Sequence, residues 1–333
     1  MKAIVYRRYG SPAVLKLEEV EKPSPRDDEV LVRVHATSVN ATDVENMRGV
    51  FMVRLGAPRR PRYRILGSDV AGRIEAVGKH ASRFQLGDEV FGDLSPIRCS
   101  FGAFAEYVCA HETALAPKPA GMTFEGAAAA TSAAILALQA LRHKGQPQPG
   151  DKVLINGAGG SVGTFAVQMA RAFGAEVTGV DSARKLDMLR SIGADHVIDY
   201  TQEDFTRSGQ RYDRILDVVS QRSVFDYRRA LNPHGLCIVV GGSIAAFFQA
   251  AILGPWNSIA RSKKVDLLTS WEPNREEDVR CLTELIEAGK VTPIIDRIYP
   301  LSETAKAVRY LEEGHARGKV VIDVCGSRML KTP

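Results

Sequence analysis

Seven consecutive residues, Gly157-Ala158-Gly159-Gly160-Ser161-Val162-Gly163, are of the types that can cradle a phosphate. Glycines let the backbone approach a pyrophosphate closely, and Gly163 would let a following helix lie tight against its strand. Val153-Leu154-Ile155 reads as a short buried strand ahead of the loop. The spacing of Phe165, Val167, Met169, Ala170 and Phe173 predicts a helix over 164–173 behind it. Strand, glycine turn and helix together are the context of a dinucleotide-binding loop, whose helix N-terminus presents free N–H groups to the phosphates. A second strand, 176–181, ends in Asp181, near the distance expected for a carboxylate that binds a ribose 2′-OH. Ser182, Arg184 and Lys185 follow at once and suit a 2′-phosphate instead. A carboxylate would repel that phosphate by roughly 3–4 kcal/mol per charge pair at contact, at an effective dielectric near 20. The two signals disagree, and the balance predicts a modest preference for NADPH with NADH usable.

The elements that must position this loop repeat its unit. A helix is expected near 184–192 with Gly193 closing it, then strands at 196–199, 214–219 and 236–240. Alternating short strands and helices predict a doubly wound parallel sheet with the nucleotide across the carboxyl ends of its strands. Val218 and Gly241 fall at those ends as further cofactor-binding candidates. The first ~120 residues differ: short strands at 3–6, 15–18, 30–35, 70–77, 89–91 and 105–109 predict a barrel-like β domain. An alanine-rich helix over 124–141, stopped by Gln146-Pro147-Gln148-Pro149-Gly150, leads into the nucleotide domain. Val279, Leu282, Leu285 and Ile286 have helical spacing, and 319–324 reads as a last strand returning to the first domain. The expected organisation is 1–123 with 293–333 as one domain and 124–292 as the other. The nearly uncharged run 244–260 reads as a buried helix on a pocket wall or at a subunit interface, and it predicts a homodimer.

Composition narrows the classes. A net charge of +5, from 44 basic and 39 acidic residues, argues against nucleic-acid binding and suits an anionic cofactor. Five cysteines are widely separated with no Cys-x-x-Cys pair, which fits a reducing compartment. The charged N-terminus does not read as a signal peptide, and no run reads as long and apolar enough to span a bilayer. The cytoplasm is the expected location.

Three stretches carry a family resemblance: Ser38-Val39-Asn40-Ala41-Thr42-Asp43; Leu66-Gly67-Ser68-Asp69-Val70-Ala71-Gly72 followed by Gly87-Asp88-Glu89-Val90-Phe91; and the glycine loop with Ala194-Asp195-His196-Val197-Ile198-Asp199-Tyr200 beyond it. The chain resembles the zinc-free medium-chain dehydrogenase/reductases of the quinone oxidoreductase and enoyl reductase branch. The resemblance implies an α/β protein: a GroES-like β-rich catalytic domain plus a doubly wound Rossmann cofactor domain. It also places Tyr200 beside the adenosine phosphate. Leu136 and Asn156 depart from the branch's usual residues. Zinc-dependent relatives carry Cys at the position of Asn40 and His-Glu at Ser68-Asp69; neither is present here. The seven histidines form no ligand-spaced pair, whereas a catalytic zinc needs about three protein ligands. The expectation is a metal-free enzyme.

A nicotinamide supplies the hydride, and the protein supplies orientation and electrostatics. Without a Lewis acid, a quinone or an α,β-unsaturated carbonyl is the favoured acceptor, because conjugation spreads the charge that develops. Asn40 is the candidate for orienting the substrate carbonyl or the nicotinamide ribose, with a loop amide capping backbone groups as its plainer role. Asp43 is counted with the catalytic candidates, either bracing that loop or, as a merely structural group, capping a helix. Tyr63 is a candidate proton donor or an ordinary half-buried tyrosine. Arg54, Arg59, Arg60, Arg62 and Arg64 form a solvated face or meet a coenzyme A phosphate or carrier protein. Two other functions compete with reduction of quinones or enones: a nucleotide-binding scaffold or sensor without turnover, and an alcohol dehydrogenase.

Overall fold

The computed structural model describes residues 1–95, 101–240, 263–268 and 271–326; Gly241 and the apolar run 244–260 lie outside the described residues. The chain divides into two units. One comprises Met1–Ser132, Pro273–Val279 and Pro293–Pro333, the other Ala133–Glu272 and Arg280–Thr292.

In the first unit, strands β1 (Lys2–Val5) and β2 (Lys16–Glu19) form an antiparallel hairpin. The main sheet is built from β3 (Glu29–Val39), β4 (Asp69–Val77), β5 (Glu89–Asp93), β6 (Tyr107–His111) and β7 (Leu115–Pro117). β3 is its spine: eleven residues, mostly buried, pair antiparallel with both β4 and β6. Helices α1 (Ala41–Arg48) and α2 (Phe51–Gly56) follow β3. α1 begins because Asn40 is extended and the Asp43 carboxylate accepts its N–H at 2.8 Å; it ends at Gly49, whose φ of +63° favours glycine. A long helix, α3 (Phe124–Arg142), crosses from this unit into the next. Contrary to the sequence expectation, it is long and apolar enough to cross a membrane by composition alone. However, 72% of its apolar window is buried inside the protein, where Ala127, Ala128 and Ala129 pack on Phe91 and Val321.

The second unit holds β8 (Lys152–Asn156), α4 (Ser161–Ala172), β9 (Glu176–Asp181), α5 (Leu186–Ser191), β10 (His196–Asp199), β11 (Tyr212–Asp217), α6 (Val224–Ala230), β12 (Leu231–Val239) and β13 (Lys264–Leu267). All six strands run parallel in the order β10-β9-β8-β11-β12-β13. The doubly wound sheet expected from the alternation is therefore present. A sixth strand, β13, escaped the sequence reading because four residues beginning with lysine carry little period-two signal.

The chain then forms α7 (Glu276–Glu287), β14 (Ile295–Pro300), α8 (Thr304–Glu312) and β15 (Lys319–Asp323). β15 returns to the first sheet as expected, pairing antiparallel with β3 so that Val321 lies opposite Ser38. β14 and α8 were not anticipated.

Two glycines of the 157–163 loop do different work. A Cβ on Gly163 would meet the Gly157 carbonyl oxygen at 2.2 Å and Ala158 Cα at 2.6 Å, so α4 can lie this close only without one. A Cβ on Gly160 would meet nothing nearer than the Gly157 oxygen, at 3.4 Å. Gly163→Ala is therefore expected to destabilise the protein by roughly 2 kcal/mol or more in urea unfolding. Gly160→Val should fold with an unchanged midpoint yet fail to bind a dinucleotide in a fluorescence titration. Retained affinity in that variant would remove the loop as the phosphate site.

Candidate active site

The end of β3, the start of β4, the end of β5, α3 and β15 converge inside the first unit on one polar cluster. Lys319, the first residue of β15, has no exposed surface; its ammonium lies 3.2 Å from Asp69 Oδ2 and donates to Asn40 Oδ1 at 2.7 Å. Asn40 Nδ2 donates to Asp69 Oδ2 at 2.8 Å and to Ser68 Oγ at 3.1 Å. Ser38 donates its hydroxyl to the same Asp69 oxygen. Asp69 Oδ1 accepts the Ser132 N–H at 3.1 Å and bonds the Ser132 hydroxyl, which also reaches Asp93 Oδ2. Asp93 Oδ1 accepts from the N–H and hydroxyl of Ser95.

This geometry narrows the role of Asn40. Both amide hydrogens are committed inward and one Oδ1 lone pair is taken by Lys319, so the side chain has an acceptor to offer and no donor. Of its expected roles, orienting a substrate carbonyl would need a donor that this arrangement does not leave free, whereas accepting a hydrogen bond from a ribose hydroxyl is compatible with it. Asp43 is wholly buried, and its oxygens accept the N–H groups of Asn40 (2.8 Å) and Gly67 (3.0 Å). It braces α1 against the Gly67-Ser68 segment and contacts no open space, so its assignment as a catalytic group is corrected to a positioning one. Tyr63 is half-buried, with its ring edge-on to Phe101 at 5.1 Å and Arg62 above it; no hydrogen bond or ring contact among the described residues joins it to the cluster.

The cluster's charges are unequal. Burial pushes Asp69 up, but the Lys319 charge and the hydroxyls of Ser132 and Ser38 outweigh it, and the carboxyl stays below its usual range. Burial, reinforced by repulsion from Asp69, raises Asp93 to about 6. Burial likewise raises Asp43 to about 7, against the pull of its two backbone N–H donors. The donor set does not fit zinc. Its one strongly ionised carboxylate already faces an ammonium at 3.2 Å, and that cation would repel a metal ion at the same oxygen.

In the second unit the glycine loop fits a dinucleotide. Asp181 is turned inward beneath the loop: its oxygens accept the N–H of Gly159 and of Ser182, each at 2.8 Å, and Lys185 Nζ lies 3.5 Å away. Lys185 drapes over Gly159, where a Cβ would strike its side chain at 2.5 Å. Tyr200 is exposed, with its N–H on the Asp181 carbonyl at 3.2 Å. Val218 backs Gly157, as expected of a residue at the strand ends. Asn156 donates to Asp217, a buried carboxylate that also accepts from Tyr227 and from the N–H groups of Val219 and Ser220. The unusual Asn156 thus ties β8 to the turn after β11.

The family resemblance links Asn40 with Ser68 and Asp69, and the structure joins them by hydrogen bonds; Asp43, expected to brace the loop of Asn40 or cap a helix, bonds the Asn40 N–H. Sequence reasoning missed Lys319, Ser132 and Asp93. The only signals for them were a lysine heading an apolar strand, a Thr131-Ser132 pair interrupting an alanine-rich helix, and an acid ending β5. None of these specifies a partner.

Two family descriptions match: an alcohol dehydrogenase GroES-like domain over residues 26–120 and a zinc-binding dehydrogenase over residues 192–322. The chain is 33% identical to a 2-methylene-furan-3-one reductase of Solanum lycopersicum, over 97% of this chain and 79% of the relative. It is equally similar, with the same coverage, to a chloroplastic NADPH-dependent alkenal/one oxidoreductase of Arabidopsis thaliana. The solved quinone oxidoreductase of Coxiella burnetii is 30% identical and superposes with a TM-score of 0.86, covering 97% of this chain and 99% of that one. With a β-rich unit carrying the Asn40–Lys319 cluster and a parallel sheet carrying the glycine loop, the chain belongs to the medium-chain dehydrogenase/reductase family, in its quinone oxidoreductase and alkenal/one reductase branch.

Proposed function

We propose that this oxidoreductase uses NADPH to reduce quinones or α,β-unsaturated carbonyls without a metal. The observation that carries the reading is the buried Lys319–Asp69 pair, which sets an ammonium against a residue at the position of a metal ligand in zinc-dependent relatives. When bound, the nicotinamide supplies the hydride. The protein's own part is to hold and orient. Gly157–Gly163 would carry the pyrophosphate, and Asn40 Oδ1 would accept a hydrogen bond from the nicotinamide ribose. With no strong electrophile to hold a simple alkoxide, the chemistry favours acceptors that delocalise their own charge.

NADPH is favoured for a reason the sequence did not show. Asp181 spends its oxygens on Gly159 and Ser182 and stands beside Lys185, so its charge is partly neutralised before any phosphate arrives. The relative from Arabidopsis named as NADPH-dependent supports the same choice.

Purified protein is expected to oxidise NADPH with a quinone or an enone and not with an unconjugated ketone. Binding without turnover across both classes would favour the scaffold reading. Lys185→Ala should lower kcat/KM for NADPH about tenfold and leave NADH nearly unchanged, a loss of ~1.4 kcal/mol in transition-state binding. Asp181→Ser should weaken both cofactors, because two loop N–H groups lose their acceptor. A selective gain for NADPH would instead mean that the carboxylate faces the ribose.

A further inference from the structure

We propose that Asp69, Ser132 and Asp93 hold one proton between them beyond the serine's own, and that this proton keeps Lys319 and Asn40 in the arrangement described above.

The Ser132 hydroxyl has a single hydrogen, yet its oxygen is within hydrogen-bonding distance of Asp69 Oδ1 and Asp93 Oδ2. With both carboxyls ionised, one of those contacts would set a carboxylate oxygen against a hydroxyl lone pair. Both carboxyls are buried, at 0% and 2% exposure, where such a contact is costly. A second proton resolves it. The proton belongs on Asp93, because Asp69 Oδ2 already accepts from Lys319, Asn40 and Ser38, whereas among the described residues Asp93 Oδ2 meets only Ser132. Asp93 then donates to Ser132 Oγ, and Ser132 donates to Asp69 Oδ1.

The charges around the site agree. β15 contributes Lys319, β4 contributes Asp69, β5 contributes Asp93 and α1 contributes Asp43; α3 offers the neutral Ser132, and Asn274 binds the backbone of Asp93. Among the described residues, the one ammonium of this cluster is set against three buried carboxyls, so only one of those three can be ionised at zero net charge among them. The raised titration of Asp93, near 6, follows from the same burial and the same neighbour. When the proton leaves to solvent, a second negative charge stands beside Asp69. The ammonium is drawn toward the carboxylates, and its hold on Asn40 Oδ1 weakens. Asp93 is in this sense a positioning residue, acting on Asn40 through Ser132, Asp69 and Lys319.

Asp93→Asn is the direct test, because asparagine reproduces the neutral acid: its oxygen accepts from Ser95 and its amide donates to Ser132. In the full chain with carboxyl-labelled aspartate, carbon NMR should show a group titrating near 6 that vanishes in Asp93→Asn. Stability gives a second readout. A carboxyl raised on folding contributes stability that is complete below its unfolded value and is lost as pH rises through the folded one. Wild type and Asp93→Asn should therefore melt alike near pH ~4, and the variant should melt about 5 °C higher near pH ~8. A variant that keeps every high-midpoint titration, or that melts below wild type near pH ~8, overturns the shared proton. Should Asp93→Asn not fold, Ser132→Ala serves: it should move the Asp93 midpoint and leave that of Asp43 in place, and no movement overturns the proposal.

The link to Asn40 rests on the cofactor reading above. NADPH affinity should fall about threefold or more between pH ~6 and ~8 in the wild type and much less in Asp93→Asn. Equal falls in both proteins would overturn that link. The NMR and melting arms use neither cofactor nor substrate, so they fail independently of the reductase assignment.

Discussion

A single buried ion pair organises the catalytic unit. Lys319 lies 250 residues beyond Asp69 and 279 beyond Asn40, and its buried ammonium meets the buried Asp69 and the half-buried Asn40. A charge so buried is tolerated only where a counter-charge and hydrogen bonds replace its lost water, and leaving either partner alone typically costs about 3–5 kcal/mol. Strand β15 is thereby held in one register on β3, the register that places Lys319 at the end of β3 where Asn40 begins α1. The last segment of the chain is therefore part of the first domain's site rather than an appendage to it.

The same pair explains how a member of a family described by zinc binding can be built around a cation of its own. An ammonium on Asp69 orients Asn40 and leaves the amide one acceptor lone pair. It holds no open coordination position and polarises no substrate oxygen by direct ligation. On the proposed metal-free reading, such a site would select by the shape and electronics of the acceptor, since it would supply little charge stabilisation itself.

The cofactor unit shows a parallel economy with charge. Asp181 and Asp217 end β9 and β11, the two strands that flank β8, and both turn their oxygens toward backbone N–H groups: Gly159 and Ser182 for the first, Val219 and Ser220 for the second. Each acid shapes a turn at the carboxyl end of a strand. Lys185 lies over the first of these turns, against Gly159 and Asp181, so an acid that reads as selecting against a phosphate also braces the glycine loop.

The sequence alone determined the local and periodic parts of this protein. The strand–glycine–helix unit at 153–173, the repeated alternation after it, and the short strands of the first 120 residues are each encoded within a few neighbouring side chains. Asn40, Ser68 and Asp69 were linked only through the family resemblance, which sets them where zinc-dependent relatives carry metal ligands, and Asp43 was legible only as a brace or cap for the loop of Asn40. What only the tertiary structure decided is direction and partnership. Asp181 reads in the sequence as a ribose ligand, and Asn156 only as a departure from the family's usual residue. In the structure Asp181 turns its oxygens onto the Gly159 and Ser182 N–H groups and Asn156 binds Asp217, because the direction of a side chain depends on which groups folding brings beside it. Lys319, Ser132 and Asp93 carry no local signature. A lysine before Val320-Val321-Ile322 reads as a strand end in water until β15 pairs with β3 and encloses it. Desolvation and Coulomb interaction act through space, and they fall on residues that the chain separates by hundreds of positions.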